Sequence, residues 1–297
     1  MKNTRFLAAI TGAATLALLQ GCGDGHGGTG KLSLAVTDAP VDGATAVVVQ
    51  FTGVEVKEEG GDTHVFDFAI PRQINLMALT GHDSELLLDG VVVPSGRYEW
   101  VRLKVNAEED GIADSYIDLD DGSRHELEVP SGAETGLKLH GGFGVPNGGA
   151  SSFTMDFDLR KSVHEPMNAG DSFKLRPTLR IVDNSRIGAI AGTVQGALVV
   201  PSCAPAVYVF AGSGVTPDDV DAIAPEPVSS AMPQLNAGTG NYDYTVGFLA
   251  EGDYTVSFTC NADLDNPETD DTLVFAGTQN AAVTAEQTTT VNFPPPP

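Results

Sequence analysis

The chain has 297 residues, of which 16 are Lys or Arg and 40 are Asp or Glu, so its formal net charge is −24. Nucleic-acid binding needs clustered basic residues, and this acidity therefore argues against a nucleic-acid partner. The excess of carboxylates favours either simple solubility or the attraction of divalent cations.

The first 21 residues have the pattern of a secretory signal peptide. Lys2 and Arg5 precede a mainly apolar run at residues 6–19. The run is too short for a permanent transmembrane helix, which needs about 20 apolar residues. It ends in the residues LQGC, 19–22, which resemble the lipobox of bacterial lipoproteins.

This resemblance implies a thioether-linked diacylglycerol and an N-acyl chain on Cys22. Each buried methylene contributes about 0.8 kcal/mol, so several chains make a lasting membrane anchor. Residues 22–30 would then form a flexible, Gly-rich tether of about 16 Å. Because Gly23 and not Asp follows the cysteine, the analogy with enteric bacteria favours the outer membrane of a Gram-negative cell envelope. An ordinary signal peptide with a chance cysteine is the alternative.

The remainder of the chain is predicted to be all-β, with two antiparallel β-sandwich domains in series. Short alternating or β-branched segments recur between Gly, Pro and Asp turns, as is typical of sandwiches and barrels. These segments are residues 31–37, 45–57, 97–105, 151–159, 173–182, 187–200, 206–212, 242–249, 252–260, 272–277 and 287–293. A short helical turn is expected only within residues 74–90.

The segment at residues 151–159 alternates most clearly. Successive side chains of a strand point to opposite faces. The alternation therefore predicts a core face and a polar face, formed respectively by Phe153, Met155, Phe157 and Leu159, and by Thr154, Asp156 and Asp158.

A change in composition near residues 183–186 indicates a domain boundary. Residues 187–297 contain no Lys, Arg or His, but thirteen Asp and Glu. We therefore predict one β-domain at residues 31–184 and a second at 187–294. The loop at residues 213–240 is long enough to be partly mobile or functional.

Sequence blocks in each part resemble known families. GKLSLAVTDAPVDGATAVVVQFTGVEVK, PSGAETGLKLHGGFGVP and FTMDFDLRKSVHEP resemble bacterial lipoproteins that carry the domain of unknown function 4382. IAGTV, AVYVFAG and EGDYTVSF resemble prealbumin-like or carboxypeptidase-regulatory-like sandwiches. The resemblance implies a fold and a location but no activity. Relatives of the second type include carbohydrate-binding-like folds, an analogy at the level of fold only.

Cys203 and Cys260 are predicted to form a disulfide bond. They are an even pair in an exported chain, and an oxidising compartment favours their bridging. A loop of this length would stabilise the fold by about 4 kcal/mol in the chain-entropy model.

The acidic turn, residues 262–271, is the sharpest candidate for a metal site. Calcium takes six to eight oxygen ligands, and closely spaced carboxylates can supply them. The alternative is a solvated acidic turn, since the EF-hand spacing is missing. The candidate ligands are Asp263, Asp265, Asn266, Glu268, Asp270 and Asp271. A second acidic stretch, residues 117–126, is interpreted as a hairpin turn at Asp121-Gly122.

Catalytic motifs are scarce, and no cofactor beyond calcium is indicated. No histidine pair has zinc-ligand spacing, and although His164 follows Ser162 closely, there is no G-x-S-x-G motif. Tyr98 and Trp100 are either sugar-stacking residues or packing residues. The sequence thus favours a non-enzymatic binding or scaffold module with a glycan or protein partner. The alternative is a carboxylate-dependent hydrolase of cell-surface polymers.

Overall fold

A computed structural model describes residues 28–39, 41, 43–130, 136–164, 166, 172–176 and 178–294. The predicted signal peptide and Cys22 lie outside the described residues. Within these residues the chain is all-β, as the sequence predicts, with only short helical turns. None of its helices has the length and apolar character needed to span a membrane.

The first part of the chain forms twelve described strands. They are β1 (Thr29–Ala39), β2 (Ala44–Glu58), β3 (Thr63–Asn75), β4 (Glu85–Pro94), β5 (Gly96–Asn106), β6 (Tyr116–Leu119), β7 (Arg124–Glu128), β8 (Leu137–Val145), β9 (Ala150–Asp158), β10 (Val163–His164), β11 (Phe173–Leu175) and β12 (Leu179–Asp183). Short helices interrupt them at Leu76–Ala78 (3₁₀), Leu159–Ser162 (α1) and Asn184–Arg186 (3₁₀).

Two sheets pack face to face in this part, which we call the N-terminal sandwich (residues 29–183). One sheet has the order β12-β9-β1-β4, and the other contains β10-β11-β7-β6-β2-β5-β8, with β3 also paired to β2. Leu34 and Met155 of the first sheet share one core with Val49 and Leu103 of the second. The pairing is not wholly antiparallel, because β1 runs parallel to β9 and β11 to β7.

The second part forms eight described strands. They are β13 (Ile187–Val194), β14 (Ala206–Ala211), β15 (Pro227–Ala231), β16 (Gln234–Asn236), β17 (Asn241–Ala250), β18 (Gly252–Thr259), β19 (Phe275–Val283) and β20 (Thr288–Thr290). Two 3₁₀ turns lie at Gly196–Leu198 and Ala262–Leu264.

These strands form the C-terminal sandwich (residues 187–290). Its sheets have the orders β16-β17-β13-β20 and β15-β14-β18-β19, and Ile190 and Tyr244 of the first pack against Val207 and Val256 of the second. The strand β14 is buried on both faces, because residues beyond β18 cover its outer side at Tyr208. The predicted Cys203–Cys260 disulfide is present and closes a span of 57 residues.

Most of the predicted strands are confirmed, and the exceptions have physical reasons. The helical turn expected within residues 74–90 is the 3₁₀ turn Leu76–Ala78, and the Asp121-Gly122 hairpin joins β6 to β7. The prediction of one strand at residues 173–182 is wrong. The segment divides into β11 and β12 in different sheets, on either side of a proline, which cannot donate to a strand ladder.

The predicted loop at residues 213–240 is not wholly irregular. It contains β15 and β16, which complete the edges of the two C-terminal sheets. These short strands are rich in Ser, Pro and Gln, and their tertiary pairing overrides weak local propensity. The strand expected at residues 272–277 begins only at Phe275 and runs to Val283.

The two sandwiches share a local feature at corresponding strands. Tyr98 near the start of β5 and Tyr254 near the start of β18 each donate a hydrogen bond from the phenol to the backbone carbonyl four residues earlier, at Pro94 and Ala250, both at 2.8 Å. Both rings are buried. The Gly-x-Tyr sequence therefore forms the same corner in each sandwich.

Phe157 links the two N-terminal sheets, since its ring meets that of Phe51 edge-on with centroids 6.3 Å apart. Phe157 is fully buried, whereas Ile70 is 78% exposed. We expect Phe157→Ala to lower the free energy of unfolding by about 3–5 kcal/mol through lost burial and a residual cavity. Ile70→Ala should change it by less than about 0.5 kcal/mol. Chemical denaturation measures both, and equal effects would contradict this description of the core.

Candidate functional site

The single helical turn α1 lies where the N-terminal sandwich contacts the C-terminal sandwich. β9 ends at Asp158, whose Oδ1 accepts a hydrogen bond from the Lys161 amide at 3.2 Å and caps the turn. The turn presents Arg160 and Lys161 to the second sandwich. It is therefore the start of what we call the cationic segment, residues 160–186.

Arg160 and Lys161 make the most buried contacts across the junction. The Arg160 Nη1 donates to the carbonyl of Ala262 at 2.9 Å, and its guanidinium lies 5.4 Å from the centre of the Tyr208 ring. The Lys161 Nζ lies 2.7 Å from Glu226 Oε2 and also donates to the Pro227 carbonyl. All four of these partners belong to residues 187–297, which contain no basic residue.

Further along the cationic segment, other basic residues also lie close to carboxylates of the second half of the chain. The His164 Nδ1 and the Arg176 Nη1 lie 3.1 and 3.4 Å from Glu268 Oε1, and the Arg186 Nε lies 3.3 Å from Glu251 Oε2. Glu226, Glu251 and Glu268 are thus each paired with basic residues from the preceding part of the chain.

Arg180 makes a buried bridge between the sandwiches. Its Nε and Nη2 lie 2.7 and 2.5 Å from Asp156 Oδ2, and its Nη1 donates to the Phe248 carbonyl at 3.0 Å. Asp156 is only 5% exposed. Burial raises its pKa to about 6, although the charge and hydrogen bonds of Arg180 pull in the opposite direction.

The strand β17 is bulged where it meets the N-terminal sandwich. Its register with β13 shifts near Gly247, and Phe248 has a φ of +52°, a conformation that is strained for a bulky residue. A Cβ on Gly247 would lie 1.7 Å from the Gly81 carbonyl oxygen. Only glycine allows this approach, which seats the loop before β4 against β17.

A cavity of about 700 Å³ opens between the two sandwiches beside this bulge. Its polar wall combines carboxylates and hydroxyls from both sides, including Asp38, Asp83, Asp156, Ser230, Asp243 and Thr245. The single hydroxyl proton of the buried Thr37 is shared between the carbonyls of Leu79 and Asp83, which lie 3.0 and 2.7 Å from Oγ1, and this contact fixes the loop that carries Asp83. The wall is therefore acidic.

The acidic turn lies at the same junction, but its residues face different neighbours. Asp263, Asp265, Asn266 and Glu268 line a smaller cavity of about 350 Å³ opposite Arg160. Glu268 is engaged by the cationic segment. Asp265 accepts the Tyr208 hydroxyl at Oδ2 and the Val220 amide at Oδ1.

Three of the predicted ligands lie close to Asp219, an aspartate that was not among the predicted ligands. Oxygens of Asp265 and Asp271 and an oxygen of Asp219 all lie within 4.8 Å of one another, and Asp219 forms a second such group with Asp221 and Asp270. Asp219 and Asp221 come from the loop before β15. The only sequence signal for them was the acidic stretch PDDVD within the loop at residues 213–240.

The remaining candidate residues have structural partners. Tyr98 stacks on Phe143 with ring centroids 4.9 Å apart, and the Lys138 Nζ lies 4.1 Å from the centre of the Trp100 ring. Ser162 donates from Oγ to the Asp158 carbonyl at 2.6 Å. These contacts favour packing over sugar stacking at Tyr98, and capping over nucleophilic chemistry at Ser162.

Asp156 should make the stability of the folded protein depend on pH. Its folded pKa of about 6 lies above the ordinary 3.8, so the folded state holds the proton more tightly than the unfolded state. The contribution of Asp156 to the free energy of unfolding is therefore greatest below pH 3.8. It declines by about 3 kcal/mol in total as the pH rises to about 6.

In Asp156→Asn this titration is absent. Urea denaturation gives the unfolding free energy of the wild type and of the variant at each pH. The wild-type value minus the variant value should fall by about 3 kcal/mol between about pH 4 and pH 7. The matched control is Asp89→Asn, on the exposed side of β4. A wild-type-minus-Asp156→Asn difference that stays constant across this range would contradict the prediction.

Comparison with known proteins gives a family but no activity. No curated protein matches the sequence. Solved structures with partial similarity include a leucine-rich repeat protein from Bacteroides thetaiotaomicron (12% identity, TM-score 0.21), the Bacillus anthracis TIE protein (10%, 0.20) and a minor pilin of Streptococcus agalactiae (9%, 0.19).

These alignments cover 90%, 89% and 88% of this chain, and 26%, 33% and 94% of the other chains, respectively. The chain thus spans about a quarter and a third of the first two proteins. Similarities this low support no functional assignment.

The family model for the domain of unknown function DUF4382 matches residues 29–177, just over half of the chain. The match covers nearly all of the N-terminal sandwich, including α1 and most of the cationic segment. The chain therefore belongs to the DUF4382 family.

Proposed function

We propose that this protein is a lipid-anchored, non-enzymatic binding module of the bacterial cell envelope, and that its ligand is a glycan bound between the two sandwiches. The observation that carries the proposal is the 700 Å³ cavity to which both sandwiches contribute. Its volume lies within the range of about 300–1,000 Å³ that is usual for ligand sites.

The chemistry of the cavity wall favours a polar ligand without negative charge. Carboxylates such as Asp83 and Asp243 accept hydrogen bonds from sugar hydroxyls, while Thr80 and Ser230 can both donate and accept. The same carboxylates repel anionic ligands. A neutral or basic glycan fits this wall, and a basic segment of a protein partner is the alternative occupant.

The cavity is preorganised by the junction. Arg180 ties β12 to the bulge of β17, and the loop that carries Asp83 is hydrogen-bonded to Thr37 of β1. Binding to a rigid wall loses less conformational entropy than binding to mobile loops. This rigidity supports a recognition role.

The glycan proposal is tested by an array of envelope glycans probed with the purified full-length chain. Asp83 is exposed at the cavity and Asp89 is exposed away from it. We expect Asp83→Ala to weaken binding at least about tenfold, since a hydrogen bond to a charged acceptor contributes about 1.5–3 kcal/mol, and Asp89→Ala to leave it unchanged. A blank array with the wild type would overturn the glycan proposal.

The same assay separates binding from catalysis. Cleavage of a bound glycan that is lost in Asp156→Asn would instead support the carboxylate-dependent hydrolase. The engagement of Asp156 by Arg180 favours a structural role for this carboxylate.

The anchor is proposed from the sequence LQGC, residues 19–22, behind its apolar run. The strand β1 begins at Thr29, so only a short segment would separate a lipid on Cys22 from the folded protein. This spacing would hold the N-terminal sandwich close to the membrane, with the outer membrane as the favoured site.

We also propose that residues 187–294 are a separate, prealbumin-like domain, since no described strand of the N-terminal sandwich pairs with a strand of the C-terminal sandwich.

Lipid attachment is tested by growing cells with a labelled fatty acid and analysing the mature N-terminus by mass spectrometry. The wild type should carry the label and begin at Cys22, whereas Cys22→Ser should carry none and lose its membrane association. Gly25→Ala is the matched control in the same segment and should behave as the wild type. An unlabelled wild type, or one with an intact leader, would refute the anchor.

A further inference from the structure

Three carboxylates from two distant segments converge on one point of the C-terminal sandwich. Asp219 precedes β15, while Asp265 and Asp271 belong to the acidic turn after β18, and one oxygen of each lies within 4.8 Å of the other two. Calcium binds oxygens at 2.3–2.6 Å, so two ligands on opposite sides of one ion are about 4.8 Å apart. The three oxygens are therefore within the reach of a single cation.

Asp219 supplies an independent indication of a missing ligand. The residue is 1% exposed, and its Oδ1 has no hydrogen-bond partner among the described residues. Its Oδ2 accepts the backbone amide of Asp271, which turns the carboxylate towards the cluster. A buried ionised oxygen without a partner is costly, and such groups are normally paired or bound to a metal.

The charges around the cluster do not balance. Asp219, Asp265 and Asp271 bring three carboxylates to one point, and Asp221 and Asp270 form a second group around Asp219. The Arg160 guanidinium lies nearby, where it donates to the Ala262 carbonyl and lies over the Tyr208 ring.

Other basic residues of the junction contact other carboxylates. Lys161 contacts Asp158 and Glu226, while His164 and Arg176 contact Glu268. Residues 187–297 contain no Lys, Arg or His, so the C-terminal sandwich has no basic side chain of its own beside the three carboxylates. A bound cation would neutralise them.

We propose that Asp219, Asp265 and Asp271 bind a hard divalent cation, and that this cation is calcium. Carboxylates from two separate loops give an irregular oxygen set, which calcium accepts more readily than magnesium does, because magnesium requires near-ideal octahedral geometry. Water completes the six to eight ligands. The adjoining group of Asp221 and Asp270 lies further out, and Asp270 is exposed.

The ion would hold the surface on which the N-terminal sandwich docks. Asp265 accepts the Tyr208 hydroxyl, and the guanidinium of Arg160 stacks over the ring of the same tyrosine. A cation on Asp265 and Asp271 would fix the acidic turn to the loop before β15. Calcium would thereby stabilise the face contacted by Arg160 and Lys161, independently of any ligand in the larger cavity.

Calorimetric titration of calcium into the chelator-treated full-length chain tests the site directly. Thermal unfolding in calcium, in magnesium and in chelator gives a second readout. Calcium at 100 times its Kd should raise the unfolding midpoint by about 5–10 °C, and magnesium at the same concentration should raise it less. No heat of binding and no shift in the midpoint would overturn the proposal.

Variants assign the ligands. Asp219→Asn should weaken calcium binding at least about 100-fold, and in chelator it should unfold no lower than the wild type, because a repelling buried charge has been removed. Asp265→Asn is a second ligand variant should the first fail to fold. Asp263→Asn removes the same charge from the acidic turn outside the cluster and should bind as the wild type does. Wild-type affinity in Asp219→Asn, or an equal loss in Asp263→Asn, would refute the assigned ligands.

Discussion

The arrangement of the two sandwiches depends on contacts between basic residues of the first half of the chain and acidic residues of the second half. The C-terminal sandwich has no basic residue, and the cationic segment, residues 160–186, provides the positive charge that its carboxylates and carbonyls meet. Several of these contacts are buried, so each ion pays a desolvation cost that only good geometry can offset. Such pairs specify one arrangement of the two sandwiches more than they add to stability.

The capped turn α1 makes these contacts geometrically possible. Asp158 ends β9 and caps the turn, so that Arg160 and Lys161 leave the sheet together towards the second sandwich. Arg180, on the neighbouring β12, reaches the bulge in β17. Basic residues that follow β9 or lie on the neighbouring edge strand β12 therefore contact the C-terminal sandwich at two separate points.

The recognition features of the molecule follow from that docking. The larger cavity has walls from both sandwiches and lies beside the bulge of β17, where Gly247 closely approaches Gly81. The acidic turn is held on one side by Arg160 and on the other by its contacts with Asp219. Binding of a ligand or a cation at either place would act on the same junction.

Local pattern was a good guide to the strands and an incomplete guide to burial. The alternation in β9 correctly assigned Phe153, Met155 and Phe157 to the core. It placed Asp156 on a polar face, yet that face is also covered, because Arg180 and the C-terminal sandwich lie against it. A period of two distinguishes the faces of a strand, but it carries no information about a second body that packs on the outer face.

The sequence by itself determined the all-β class, the disulfide pair and the separation of positive from negative charge along the chain, because these follow from composition, periodicity and spacing. Only the tertiary structure decided that the separated charges meet, and that Asp219 joins Asp265 and Asp271 across a long intervening segment. The six candidate calcium ligands of the acidic turn are neighbours in sequence. The fold separates them, because a tight turn points adjacent side chains in different directions: Asp265 and Asp271 meet Asp219, whereas Glu268 contacts the cationic segment.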